Sequence, residues 1–255
     1  MPVSSHKRKP GHVALERALS KLGIASRTKA REWILAGKVR VNGKVETRPL
    51  FSVWPEKARI EIEGEKVAAA SPLTLLLYKP KGIITTHSDE KGRKTVFSLL
   101  PEKISKQAGH LIAVGRLDRA TTGLLILTND TRLSAWLTDP VNEVRRVYLV
   151  TVRGEVTESE LGTLRKGVLE QGEKLLPDAV VLRKASRKES HLTVTLTEGK
   201  NREIRRLFAS LNHEVTRLKR VSYGSLELGE LKPGDCRILS LDELKAAFSG
   251  APLRG

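Results

Sequence analysis

Near the N-terminus the apolar positions fall at helical intervals. Leu15, Ala18, Leu19 and Leu22 recur every three or four residues from His12 onward, so they share one face of a helix. Gly23 suits the left-handed position at which such a helix ends. Ser26 is placed to cap a second helix, with Ala30, Trp33 and Ile34 on its buried side and Gly37 closing it. Lys29 stands where a capping box has Glu, so positive charge meets the positive end of the helix dipole, an arrangement that favours an arriving anion. Val39, Val41 and Val45 then flank Asn42-Gly43, which predicts a hairpin with a type I′ turn because both central residues need positive φ. Residues 64–72, rich in small side chains and ending on Pro72, read as a linker and hinge.

Beyond the linker the pattern changes. Leu73 to Tyr78 is a short apolar strand ended by Lys79-Pro80-Lys81-Gly82, a stiff turn carrying two ammonium groups. Further strands are expected at 111–114, 124–128, 147–153, 179–184 and 192–197, the last two joined by the polar segment 184–190. A helix is expected from Asn201 to Leu211, with Ile204, Leu207 and Phe208 buried and Arg202, Arg205 and Arg206 near its edge. Strands recur without regular βαβ alternation, which predicts an α+β domain with a mixed, mostly antiparallel sheet and flanking helices.

Composition narrows the partners. The 255 residues allow one large domain or two smaller ones, and 39% hydrophobic with only 4% aromatic content implies an aliphatic core. A net charge of +17 suits a polyanion such as RNA, although on this measure ribosomal proteins and nucleases look the same. The only cysteine, Cys236, excludes an internal disulfide and a cysteine metal cluster, and the six histidines have no ligand spacing. No metal or cofactor is therefore expected. Neither a membrane span nor a signal segment is apparent, so a cytoplasmic protein is expected, and with no heptad a monomer. Residues 1–11 read as a basic disordered tail.

The chemistry concentrates in residues 115–130, GRLDRATTGLLILTND. Asp118 lies between Arg116 and Arg119, directly before the apolar run Gly123 to Leu127. Guanidinium neighbours favour the charged carboxylate. Taken alone, Arg-Leu-Asp-Arg is also what a capped turn on a solvated edge looks like. A metal-dependent nuclease built on Asp118, Asp130 and Asp139 would need carboxylates converging on a cation, which the arginines oppose.

The whole run resembles the central motif of the pseudouridine synthases, in the branch that modifies ribosomal RNA, departing from its commonest wording at Ala120, Thr121 and Thr122. Val144 to Val150 resembles the second motif, with Arg146 where lysine is usual, and Asp139 stands where histidine is common. Glu198 to Leu207 resembles the third, followed by Leu218-Lys219-Arg220-Val221 and Leu231 to Gly234. Residues 12–70 resemble an S4-type RNA-binding domain, with Arg27, Lys29, Arg31, Lys38, Arg40 and Lys44 forming a basic face whose alternative is a solvated helix surface. The likeness runs from about 12 to 240, implying a catalytic domain over 73–248.

The resemblance implies isomerisation of a specific uridine in ribosomal RNA to pseudouridine, on a flipped-out base. Asp118 would be catalytic, attacking the ribose, attacking the base or removing a ribose proton. Arg205 would pair with it, Tyr148 would lie against the base and Leu218 would line the uracil pocket. Lys79, Lys81, Arg116 and Arg119 would meet phosphates near the cleft. The alternative is a non-catalytic ribosomal RNA-binding protein acting in ribosome assembly.

Overall fold

The computed structural model describes residues 11–68, 70–87 and 89–253, so the expected basic tail, Gly11 apart, lies outside the described residues. The chain divides into two compact units. One comprises the chain up to Leu73 with Glu102–Ile112 and Asn129–Arg132, and the other holds the remainder.

In the first unit, Leu15–Lys21 and Arg27–Leu35 are helical. The first helix starts later than its apolar stripe suggests, because Val13–Ala14 pairs instead with Ser52–Val53 and Leu15 N donates to Phe51 O at 2.8 Å. Ser26 caps the second helix by accepting from Lys29 N at 3.1 Å. The Lys29 ammonium finds its anion one turn along, on Glu32 at 2.8 Å. Asn42 and Gly43 take φ of 51° and 83°, turning Val39–Val41 into Lys44–Val45 as the sequence requires. Leu15, Leu19, Ile34, Val39 and Ile60 are buried in one aliphatic core, with Trp33 packed half-buried against it.

The expected linker is partly ordered differently. Glu65–Lys66 pairs with Ile60–Ile62 as the end strand of a four-stranded sheet, and Ala70 N donates to Leu22 O at 3.0 Å. Asn129 joins distant segments of this unit: its amide nitrogen donates to Ser71 O and Ala108 O, while its oxygen accepts from Leu73 N. Those three contacts carry residues 102–112 and 129–132 into the unit, which contiguous sequence reading could not foresee.

The second unit is built on a mixed sheet. Its strands run in the order Ala179–Ala185, Glu189–Leu196, Arg146–Arg153, Val215–Tyr223, Thr122–Thr128, Thr74–Lys79 and Cys236–Ile238. Along this path every pair is antiparallel except Val215–Tyr223 against Thr122–Thr128. At that parallel contact Gly123 has φ of 105°, and a Cβ there would lie 2.1 Å from Arg220 O, so only glycine lets the two strands meet.

Leu76, Leu124, Ile126, Leu137, Tyr223 and Phe248 form the core beneath these strands, and the Tyr223 hydroxyl donates to Leu137 O at 2.7 Å. Helices Thr131–Thr138, Glu158–Lys166, Glu203–Ala209 and Leu241–Ala247 flank the sheet, completing the expected α+β architecture. Only Glu203–Ala209 of the helix expected over 201–211 is formed, because Arg202 adopts a left-handed conformation with φ of 48°.

Candidate active site

Asp118 sits in the loop entering Thr122–Thr128, and alternation decides which way each residue points. Leu117 turns inward, 5% exposed, with its backbone held by the Thr85 hydroxyl, while the Asp118 side chain stays 39% exposed. Thr121 N closes the turn onto Asp118 O at 3.0 Å, and Gly82 N binds Arg119 O at 2.8 Å.

Lys79 supports this loop from below. Its side chain is fully buried, and its ammonium donates to Pro80 O at 3.2 Å, Asp118 O at 3.0 Å and Thr121 O at 2.7 Å. Burial pushes the ammonium down to about 8 against the opposing pull of the Asp118 charge. The expected phosphate contact is therefore corrected: Lys79 has its donors committed to carbonyls and no surface to offer RNA.

The cleft above the loop has a volume of about 330 Å³, and its walls include Asp118, Tyr148, Leu218, Arg202, Arg205 and Arg220. Tyr148 and Leu218 are each 8% exposed and come from adjacent strands. The Tyr148 hydroxyl lies 3.5 Å from Arg220 Nη1, while Arg220 Nε donates to Leu124 O at 2.7 Å. Tyr223 is flanked by two cations, Arg146 at 4.9 Å and Arg220 at 5.0 Å from its ring centre. Arg146 is held by Thr197 O, Leu137 O and the Tyr223 hydroxyl, so it serves the scaffold.

Two expected electrostatic pairings differ. Among the described residues, the ion-pair partner of Asp118 is Arg202, at 3.5 Å, rather than Arg116, Arg119 or Arg205. Arg205 donates Nη1 to Val215 O at 2.9 Å; burial and then the charge of Arg202 lower its affinity for its proton, with Asp118 opposing. The left-handed Arg202 brings its side chain toward the carboxylate, whereas Arg205 lies nearly one turn further into the helix. Arg116 lines this cleft and also a neighbouring depression, where Arg119 lies. Lys81 is exposed in a third depression, with Arg153, Lys188 and Arg217, away from the Asp118 cleft.

Glu203, Arg202 and Arg220 are site residues to which the sequence reading gave no role. Glu203 accepts from Lys200 N at 3.1 Å, and burial, assisted by the nearby charges of Glu198 and Glu173, pushes its carboxyl up to about 7. Among the described residues, the buried side-chain atoms without a hydrogen-bond partner are Glu203 Oε1, Arg205 Nε and Arg220 Nη2, and all three residues line this one cleft. Buried polar atoms are ordinarily paired, so three such atoms on residues of one cleft set it apart from the rest of the described core. Arg220 was recognisable only as the i+2 companion of Leu218, which puts both on one face of a strand.

In the first unit the expected basic set reaches the surface, but part of it has acidic partners. Arg27 pairs with Glu16 at 3.6 Å, Lys29 with Glu32 and Lys38 with Glu63 at 2.6 Å. Arg40 donates to Gly43 O at 3.2 Å, and Arg31 and Lys44 are exposed. Among the described residues, no group of His, Cys, Asp and Glu is arranged to hold a metal ion. Among the described residues, no helix is long and apolar enough to cross a membrane.

One cleft on the mixed sheet thus gathers a carboxylate, an aromatic ring and several arginines. The family model described as RNA pseudouridylate synthase matches residues 74–210, and that of the S4 domain matches 15–53. Ribosomal large subunit pseudouridine synthase B of Bacillus subtilis (strain 168) is 39% identical over 236 residues, 91% of this chain and 93% of its own length. The enzyme of the same name from Salmonella typhi is 40% identical over 223 residues, 84% of this chain and 74% of its own. A solved structure of a pseudouridylate synthase superposes with a TM-score of 0.64 at 26% identity, covering 91% of this chain and 98% of that one. The chain belongs to the RNA pseudouridylate synthase family, an isomerase family, and carries an S4 domain at its N-terminal side.

Proposed function

We propose that this synthase converts a specific uridine of large-subunit ribosomal RNA to pseudouridine, with Asp118 as the catalytic group acting on a flipped-out base. The observation that carries the reading is the half-exposed Asp118 carboxylate facing a cleft of about 330 Å³ whose walls include Tyr148 and Leu218. That volume suits one base with part of its ribose, and the relatives' printed names point to large-subunit RNA.

A base inside a helix cannot reach such a cleft, so the target is extruded at a cost of a few kcal/mol. Stacking on Tyr148 and packing on Leu218 would offset roughly 1–3 kcal/mol of it. In the reaction the N-glycosidic bond breaks, the uracil turns while held, and a bond forms from its C5 to the ribose. Asp118 acts as the carboxylate whether it attacks ribose, attacks base or removes a ribose proton. Arg202 keeps it charged and Lys79 holds its backbone still. Arg205 belongs to the same cleft and would act on Asp118 at longer range. The S4-type unit, taken as residues 12–70 ahead of a catalytic domain over 73–248, would bring ribosomal RNA in through Arg27, Lys29, Arg31, Lys38, Arg40 and Lys44. A cytoplasmic monomer acting during ribosome assembly fits this role.

Carbodiimide labelling with primer extension on ribosomal RNA tests the proposal. A stop present with the wild-type gene, absent in the deletion, and restored by wild type but not by Asp118→Asn is the expected result. A stop restored equally by Asp118→Asn would overturn the role of the aspartate. No gene-dependent stop in ribosomal RNA would overturn the substrate.

A further inference from the structure

Lys81 points to a second surface. It shares a depression of about 310 Å³ with Arg153, Lys188 and Arg217, and none of these residues lines the Asp118 cleft. Strand alternation explains the separation. On Arg146–Arg153 and Val215–Tyr223, Tyr148, Val150, Leu218 and Arg220 turn to the buried side that holds the cleft. The intervening residues turn to the reverse face. Register sets Leu149 beside Thr193 and Lys219, and Thr151 beside His191 and Arg217, while Lys184 stands next to His191. Much of this face is open to solvent, with Leu149 37% and Val181 53% exposed, while Thr151 is buried.

Its chemistry is one-sided. Lys184, Lys188, Arg217, Lys219, Arg153 and Lys81 supply the cations. Two acids lie at the rim and both are paired, Glu189 with His191 at 3.1 Å and Glu214 with Arg153 at 3.0 Å. Between the cations lie threonine hydroxyls and the His191 imidazole, which is engaged by Glu189 at 3.1 Å and Thr151 at 3.3 Å; the Tyr78 ring close by is capped by the Lys219 ammonium at 4.9 Å. Single-stranded RNA is held largely by stacking on exposed aromatics, and the His191 imidazole has both ring nitrogens engaged by side chains. Double-stranded RNA is held by phosphate and 2′-hydroxyl contacts over a broad shallow groove, which cations and hydroxyls on an open sheet face supply. Four strands at about 4.8 Å spacing give a platform about 15 Å wide.

We propose that the reverse face of the sheet, centred on Lys184, Lys188 and Arg217, docks an RNA double helix that flanks the target uridine without entering the cleft. This rests on the RNA-modifying role proposed above and adds a second contact surface to it. The surface would let the enzyme distinguish its uridine within a large folded RNA from the same short sequence elsewhere.

The test compares two RNAs with the full chain: a minimal hairpin bearing the target uridine, and a longer large-subunit RNA fragment that includes the adjoining helices. In the triple variant Lys184→Glu, Lys188→Glu, Arg217→Glu, affinity for the longer fragment should fall roughly tenfold or more. The slope of log affinity against log salt should drop by about 2–3, near 0.9 for each lost phosphate contact. Isomerisation of the minimal hairpin should stay at the wild-type rate. Should the glutamate set not fold, the Lys184→Gln, Lys188→Gln, Arg217→Gln set reads the same difference with smaller size.

Equal losses on both RNAs, or none on either, would overturn the proposal. So would an equal loss on a longer fragment whose flanking strands cannot pair, since that assigns the face to single strands. If wild type isomerises neither RNA yet the length-dependent loss persists, the docking surface stands and the proposed reaction falls.

Discussion

An exposed cation of the first unit and a buried one of the second behave oppositely. In the first unit, the Lys38 side chain is 46% exposed and meets Glu63 at the surface; in the second, Lys79 is fully buried and serves three carbonyls. Arg220 and Arg146 repeat the second pattern, with backbone oxygens as their main partners. An exposed cation is available to RNA and contributes little to folding, whereas a buried one ties backbone together and cannot be removed without leaving acceptors unpaired. The same residue types thus remain open to a polyanion where they are exposed, and support the site where they are buried.

The severest way to break the second pattern is to part the strands that carry it. Gly123→Ala would drive a Cβ to 2.1 Å from Arg220 O and 2.8 Å from Arg220 N, at a φ of 105° that L-residues avoid. Both obstacles are backbone, so relief requires moving the strand that bears Leu218 and Arg220. The expected loss is about 4 kcal/mol or more, read from urea unfolding, with activity lost alongside. Wild-type stability would mean that the parallel contact is not fixed.

Lys79→Met comes next. Methionine fills similar volume but leaves Pro80 O, Asp118 O and Thr121 O without their donor. An expected cost of about 2–4 kcal/mol follows, since unpaired buried acceptors retain their desolvation penalty. Turnover should fall more steeply than RNA affinity, because Asp118 loses its anchor while the surface cations are untouched. A more stable variant would show that burying the ammonium costs more than its three bonds return.

Glu203 sharpens the contrast through pH. Its folded carboxyl is raised from 4.5 to about 7, so the folded chain keeps a proton that the unfolded chain releases. That contribution to stability is full below pH 4.5 and is lost as pH rises toward 7. Glu203→Gln keeps an oxygen for Lys200 N and removes the titration. Relative to wild type it should gain stability across that window, reaching on the order of 2–3 kcal/mol above it. Parallel stability curves for the two proteins between pH 4 and 8 would refute the shift.

Legibility in the sequence divides along the same line. Ser26, Asn42 and Gly43 act within their own few residues, so local rules found the cap and the hairpin. The strands carrying Leu76, Leu124, Val150 and Val194 were likewise visible from apolar content. Val215–Tyr223 was not expected as a strand, because Arg217, Lys219 and Arg220 give it the composition of a surface segment. It nevertheless lies between two strands of the sheet, with Arg220 made tolerable inside by Leu124 O and the Tyr223 ring. Asp118 stood out by its motif, but its ion pair crosses from Arg202, whose approach depends on a left-handed residue at the helix start. Lys79 illustrates the same limit: polarity announced a surface group, and only tertiary structure supplied the three carbonyls that bury it.

The smallest effect on folding should come from the first unit's exposed pair of positions. Lys38 meets Glu63, and Arg40 lies on the next strand residue but one, bonded to Gly43 O. Lys38→Gln with Arg40→Gln removes two cations that water already solvates, so the melting temperature should stay where it is. RNA affinity should fall at low salt and converge on wild type at high salt, with the log–log salt slope reduced by about 1.5–2. The rate of isomerisation at saturating RNA should not change, since neither residue borders the Asp118 cleft. A fall in saturated turnover would mean that the first unit also orders the reacting base, and the division between surface cations that bind and buried cations that position would fail.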